Sequence, residues 1–191
     1  MSERARTAQA GTAQARTARR HAWIVVWLIV AACGGGVAAL PLGEEAVVEH
    51  AQLVGDTFAP KTTLAISVLA VRTGTIAELE AGFEIDPDQR TKTPIYVDAR
   101  FENRGSQAIN RELGVSLEDQ DGNLISNVVI FNYGGDVFPP CPDNTEGELA
   151  PGEQFETCSL FLVDEGRTPT RVSFLPLPLG NDTVSVYWSV P

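Results

Sequence analysis

The sequence predicts an all-β fold, an immunoglobulin-like β-sandwich of about seven strands behind an N-terminal signal or anchor segment. Three observations predict it. From Thr62 onward, apolar residues alternate with small or polar ones at period two, the pattern of half-buried strands. Turn signals recur between these runs: Asn103-Arg104-Gly105, Asp121-Gly122 and Pro151-Gly152. No stretch carries a sustained helical period, so two sheets must bury each other.

Taken in order, residues 1–21 form a basic lead with Arg4, Arg6, Arg16, Arg19 and Arg20 against Glu3. Ala, Thr, Gln and Ser fill most of the rest, a composition that stays disordered because nothing in it can form a core. Residues 22–42 read as a signal peptide or membrane anchor: an apolar run from Ala22 to Ala32, then Cys33 and three glycines. Three readings fit. In the first, Val30-Ala31-Ala32-Cys33 is a lipobox, cleavage precedes Cys33, and its sulfur accepts a diacylglycerol. In the second, Ala22 to Leu42 stays uncut as a membrane helix, near the ~20 residues a span requires. In the third, signal peptidase cuts after Ala39 and the protein is secreted. All three leave the rest of the chain outside the cell, because the preceding arginines hold the N-terminus inside.

Residues 43–61 read as a spacer that lifts the domain off the bilayer, and residues 62–191 as the sandwich. Its predicted strands are Leu64–Val68 with its extension toward Gly74, Ile95–Glu102, Leu113–Leu117, Leu124–Phe131, Phe155–Val163, Arg171–Phe174 and Val184–Trp188. Between the first two, Ile76, Leu79, Phe83 and Ile85 are expected to fold back onto the core.

Composition narrows function. Beyond residue 21 the chain holds nine basic and 24 acidic residues, a net of −15. Such a domain repels nucleic acid and anionic lipid, so no nucleic-acid partner is expected. Two cysteines follow the export stretch, Cys141 and Cys158, and in an exported domain they read as one disulfide. The histidines, His21 and His50, fall in the lead and the spacer. The sandwich therefore has none for triad catalysis or a transition metal, and no cofactor or metal site is expected.

Three segments carry a resemblance. Thr93 to Gly105, Leu117 to Gly122 and Leu149 to Glu153 resemble the immunoglobulin-like domain of uncharacterised actinobacterial lipoproteins. In outline they are also similar to the secreted mycobacterial immunoprotective antigens. The shared features are a strand ending in Asn-x-Gly, a strand ending in Asp-x-Asp-Gly, and a Pro-Gly turn flanked by paired cysteines. The resemblance covers about residues 62–176 and implies an extracellular interaction module with no catalytic residues.

Asp119-x-Asp121-Gly122-Asn123 faintly resembles a calcium loop, but Leu124 and Ile130 stand where Gly and an acid belong. It reads as a hairpin turn. The acids Glu78, Glu80, Glu84, Asp86 and Asp88 read as a solvated face. The candidate binding loop is Phe131 to Pro140, with Tyr133, Asp136 and Phe138 as contacts, because long loops on rigid sandwiches concentrate recognition. The alternative is that Phe131 and Phe138 plug the sandwich. The expected function is a non-enzymatic, membrane-anchored extracellular module that binds an envelope protein or ligand. The membrane is met through lipid or an N-terminal helix. A carboxylate-dependent envelope hydrolase and a calcium-stabilised adhesion module are the alternatives.

Overall fold

The alternating runs form strands, and their apolar faces close on one another. The computed structural model describes residues 38–128, 138–142, 144–178 and 184–191, all within the unit Gly36–Pro191. Cys33, Tyr133 and Asp136 lie outside the described residues, as do the last residues of the strand expected to end at Phe131. In chain order the strands are β1 (Glu45–His50), β2 (Leu53–Val54), β3 (Thr57–Phe58), β4 (Thr62–Thr73), β5 (Thr93–Asn103), β6 (Ile109–Asn110), β7 (Ser116–Asp119), β8 (Leu124–Ile125), β9 (Asn127–Val128), β10 (Glu148–Leu149), β11 (Gln154–Val163), β12 (Pro169–Phe174) and β13 (Val186–Ser189). One sheet runs β1-β4-β5-β11-β9 and the other β13-β12-β7-β8, with every neighbour pair antiparallel. Two short ladders, β6 with β10 and β2 with β3, sit apart from them.

Side-chain alternation sets what each sheet buries. Leu64, Ile66 and Val68 of β4, Val97, Ala99 and Phe101 of β5, and Phe155 and Phe161 of β11 face the second sheet. They meet Leu117, Val172, Phe174 and Trp188 in one core. Phe101 stacks on Phe155 at 5.6 Å and tilts against Phe174 at 5.9 Å, tying the sheets together. Each such ring or branched chain contributes roughly 1.5–3 kcal/mol on burial.

The outer face of the first sheet is also covered. Tyr96 of β5 and Leu160 and Leu162 of β11 point away from the main core into a second cluster. There they meet Leu79, Phe138 and Cys141, with Ile76, Phe83 and Ile85 at its margin. Leu79 belongs to a short helix, α1 (Ile76–Glu80), which the sequence pattern did not predict. Thr75 starts it with a capping box: its hydroxyl accepts from the Glu78 N–H at 3.2 Å, and the Glu78 carboxylate accepts from the Thr75 N–H at 2.8 Å.

Two predicted boundaries need correction. Residues 43–61 are not a spacer: Glu45–His50 is the edge strand of the first sheet, with Ala46 opposite Ile66 and His50 opposite Thr62. Ala46, Val48 and His50 alternate inward, and their burial against β4 is what forms the strand. The segment 22–42 is also cut short, because Leu40 already belongs to the sandwich. Its N–H donates to the Tyr187 carbonyl and its carbonyl accepts from the Ser189 N–H, both at 2.8 Å. Leu40 and Leu42 pack on the core. The Trp188 indole N–H donates to the Glu44 carbonyl at 2.9 Å. A turn at Pro41–Glu44 then reverses the chain into β1, so the N-terminal segment clasps one sheet before entering the other. A membrane helix reaching Leu42 is incompatible with these bonds.

The turn motifs converge on Asn103, the last residue of β5, which is fully buried. Its side-chain oxygen accepts from the Thr62 hydroxyl at 2.9 Å and the Gly105 N–H at 3.0 Å. Its amide nitrogen donates to the Gln107 carbonyl at 2.7 Å and the Leu149 carbonyl at 3.0 Å. The Asn103 carbonyl accepts from Gly152 of the Pro-Gly turn at 2.7 Å, where Gly152 sits at φ +80°. Gly105 is required by space: a Cβ there would lie 1.8 Å from the Thr62 hydroxyl oxygen. Arg104 between them reaches back to Glu45 of β1 at 2.7 Å and to Glu102 at 2.9 Å. Its hydrogen bonds to the Glu102 and Glu45 carboxylates hold its guanidinium above the ordinary arginine range.

Candidate functional site

The expected binding loop is represented by its C-terminal end. Phe138 is buried, in edge contact with Phe83 at 4.9 Å and 6.3 Å from the Tyr96 ring. It is a packing residue of the outer cluster. Cys141 and Cys158 form a disulfide that fastens this loop to β11, a loop-to-strand link as the spacing required. Arg72 of β4 holds the same loop from the other side. It grips Asp98 with bonds of 2.7 and 2.8 Å, donates to the Pro140 carbonyl at 2.9 Å, and lies 5.2 Å over the Tyr96 ring. Burial, then the neighbouring Glu78 carboxylate, raises the Tyr96 phenol above its ordinary value.

The carboxylates divide in a way the sequence did not show. Glu78, Glu80, Glu84, Asp86 and Asp88 are all exposed, with Glu78 in the helix cap and Glu80 paired to Arg90. The buried acids are neighbours on β7, Glu118 and Asp119. Glu118 is bound by Arg171 at 2.7 Å and Asp119 by Arg167 at 2.8 Å. Asp119 also accepts from the N–H groups of Asp121 at 3.0 Å and Asn123 at 2.8 Å, closing the Asp-Gly turn. Burial opposes its charge, but the bonds from Asn123, Arg167 and Asp121 together hold the carboxyl below its ordinary value. Both of its oxygens are therefore engaged by protein donors. Among the described residues, no group of three His, Cys, Asp or Glu is placed to hold a metal ion.

The concave site lies at one end of the sandwich. A groove of about 510 Å³ is lined by His50, Gln52, Leu53, Val54, Asn110, Leu113, Phe174 and Leu175, among others. Three segments far apart in sequence meet there. His50 ends β1, and Phe174 ends β12, with their rings 5.5 Å apart. The His50 Nδ1 accepts from the Leu177 N–H at 3.2 Å, which places the proton of the neutral ring on Nε2. Gln52 extends β6 with its side chain: its amide donates to the Asn110 carbonyl at 2.6 Å and accepts from the Asn110 N–H at 2.5 Å. The β2–β3 hairpin forms one wall. His50 is 5% exposed, and burial pushes its imidazole below the ordinary value. The sequence reading missed this residue because it placed His50 in a spacer; the inward alternation Ala46, Val48, His50 was the signal.

Two packed antiparallel sheets define a β-sandwich protein. No protein-family model and no curated protein matches the chain. Among solved structures it is similar to the yjhA protein of Bacillus subtilis. The two are 13% identical with a TM-score of 0.50, over 78% of this chain and 98% of that one. It is also similar to MPT63, a secreted protein of Mycobacterium tuberculosis, at 14% identity and a TM-score of 0.49, over 82% of this chain and all of that one. A β-sandwich protein of Clostridium difficile aligns at 13% identity and a TM-score of 0.42, over 84% and 100% of the two chains. At such identities the likeness is one of fold. The kinship expected from the turn motifs holds at the level of a distant β-sandwich relationship.

Proposed function

We propose that the protein is a non-enzymatic module of the cell envelope, held at the outer face of the membrane by its N-terminal segment and working by protein or ligand interaction. The observation that carries this reading is the position of Leu40. With the sandwich closed on Leu40, only Gly34, Gly35, Gly36 and Val37 separate Cys33 from the first described residue, Ala38. A lipid on Cys33 would thus hold the domain within at most roughly 17 Å of its attachment point. An uncut apolar run would have to end before Leu40 and would include three consecutive glycines, which favours the lipid-anchored form. Among the described residues, no helix is long and apolar enough to cross a membrane.

A non-enzymatic role is supported by the commitment of the buried acids to arginines. A glycosidase needs two carboxyls facing an open cleft, whereas Glu118 and Asp119 face Arg171 and Arg167. The test is mass spectrometry of the mature protein from membrane fractions, beside a Cys33→Ser variant. A diacylated N-terminal Cys33, and release of the variant from the membrane or retention of its signal, is the expected result. A mature chain starting at Leu40, or an intact one starting at Met1, overturns the lipid anchor.

A further inference from the structure

We infer that the groove end of the sandwich, tipped by the β2–β3 hairpin, docks on the lipid bilayer and buries Leu53, Val54 and Phe58 at its interface. This rests on the anchored reading above and adds to it a defined orientation of the domain. The first observation is an uneven distribution of apolar surface. Seven large hydrophobic residues are exposed among the described residues, and five of them gather at this end: Leu53, Val54, Phe58, Leu175 and Val184. They are 47–63% exposed, on a domain that otherwise covers both faces of its first sheet. Leu53 faces Phe58 across the hairpin, so the two side chains form one projecting face. Such a cluster marks a contact surface rather than scattered exposure.

The second observation, independent of the first, is where the chain enters. Leu40 bridges Trp188 in parallel, so the residues before it run back beside β13 toward Val186. Val186 lies opposite Phe174, at the groove end of β12. The chain therefore enters the sandwich, at Ala38, at the end that carries the hairpin. A chain tethered so closely brings this end, and no other, against the surface that holds it.

The hairpin itself carries little charge to oppose such contact. Asp56 is the hairpin's one charge, Lys61 follows it and Glu112 lines the groove. A domain of net −15 gains nothing from anionic lipid, so contact must come from apolar side chains lying in the interface. A bilayer accepts such a cluster without a matching shape, which suits a hairpin whose Val54 and Thr57 face one way while Leu53 and Phe58 face the other.

The test uses the membrane-anchored chain, purified from membrane fractions and reconstituted into phosphatidylcholine vesicles brominated near the headgroup end of the acyl chains. Trp23 and Trp27 are replaced by Phe, so that any chain left uncut before Cys33 adds no indole of its own. Trp188, which is fully buried, stays as an internal reference. Indoles are then introduced singly by Phe58→Trp and by Leu124→Trp. Leu124 is 65% exposed and follows the β7–β8 turn at the opposite end of β12, where Asp119 faces Pro169. Docking predicts that the Phe58→Trp indole loses roughly half its emission to brominated lipid, being seated in the interface. The Leu124→Trp indole should be unaffected. Flotation of the vesicles reads anchoring separately. A chain that floats while Phe58→Trp is unquenched overturns docking and leaves the anchor standing; so does equal quenching at both positions. Shielding of the Phe58→Trp indole from iodide but not quenching by lipid assigns the patch to a protein partner or a second copy. A chain that does not float overturns the anchored reading and docking together.

Discussion

Replacing Asn103 by alanine removes the hub that joins two turns, and the structure sets the cost. Four side-chain hydrogen bonds disappear. The Gln107 carbonyl and the Gly105 N–H are part-buried and can recover water, so each loss costs about 0.5–1 kcal/mol. The Thr62 hydroxyl is 3% exposed and the Leu149 carbonyl belongs to a fully buried residue. Left without partners, these two cost about 1–3 kcal/mol each. The Asn103→Ala variant should therefore lose about 3–8 kcal/mol, a large part of the ~5–15 kcal/mol that holds an ordinary domain together. Asn103→Asp has the same shape but turns an oxygen toward two carbonyl oxygens, at 2.7 and 3.0 Å in the native bonds. It should be at least as damaging at neutral pH and partly relieved where its carboxyl protonates. Urea unfolding followed by far-ultraviolet circular dichroism measures both. A loss below about 1 kcal/mol for Asn103→Ala, or native stability for Asn103→Asp, would show that the hub is not what joins the turns.

Gly105→Ala should destabilise by about 2 kcal/mol or more, because its Cβ would overlap the Thr62 hydroxyl oxygen. Adding Thr62→Ala to it should recover part of that loss, and simple additivity in the double mutant would refute the steric argument. His50 has a folded pKa below its unfolded value of about 6.5, so its contribution is full above that pH and is lost as pH falls below it. As pH falls from neutral through about 6.5, the wild type should lose stability that His50→Asn, which keeps an acceptor for Leu177, does not lose; parallel pH profiles remove the idea. Reducing the Cys141–Cys158 bond, which closes a loop of 17 residues, should cost about 3 kcal/mol. Hydrogen exchange should then rise first in α1 and around Phe138, while β4 and β5 stay protected.

The strands were legible because their apolar positions alternate against water-facing ones. Ile95, Val97, Ala99 and Phe101 line the main core, and Tyr96 points the other way, as their spacing requires. The outer layer was partly legible. Leu160-Phe161-Leu162-Val163 is apolar without a break, which a strand needs only when both its faces are covered. The helix over that layer was not, since five residues are too few to show a period; Thr75 and Glu78 at capping-box spacing were its local sign. β1 was lost because three inward positions between flanking glutamates make a weak pattern, and tertiary pairing with β4 supplies the rest. The groove could not be read at all, because residues near 50, 110 and 175 are brought together only by the closed sandwich.

The clasp between the first and last described segments has a consequence for when the domain can close. Trp188 reaches Glu44 across 144 positions of chain, and its fully buried ring completes the core. A sandwich emerging N-terminus first therefore has no partner for Leu40 and an open end on its second sheet until β13 arrives. Closure is a late event with a long loop to bring together. Until it happens, Leu40, Leu42 and the faces of β12 and β7 are exposed apolar surface. A chain ending before Val186 would stay in that state, with its clasp unmade and its core unfilled.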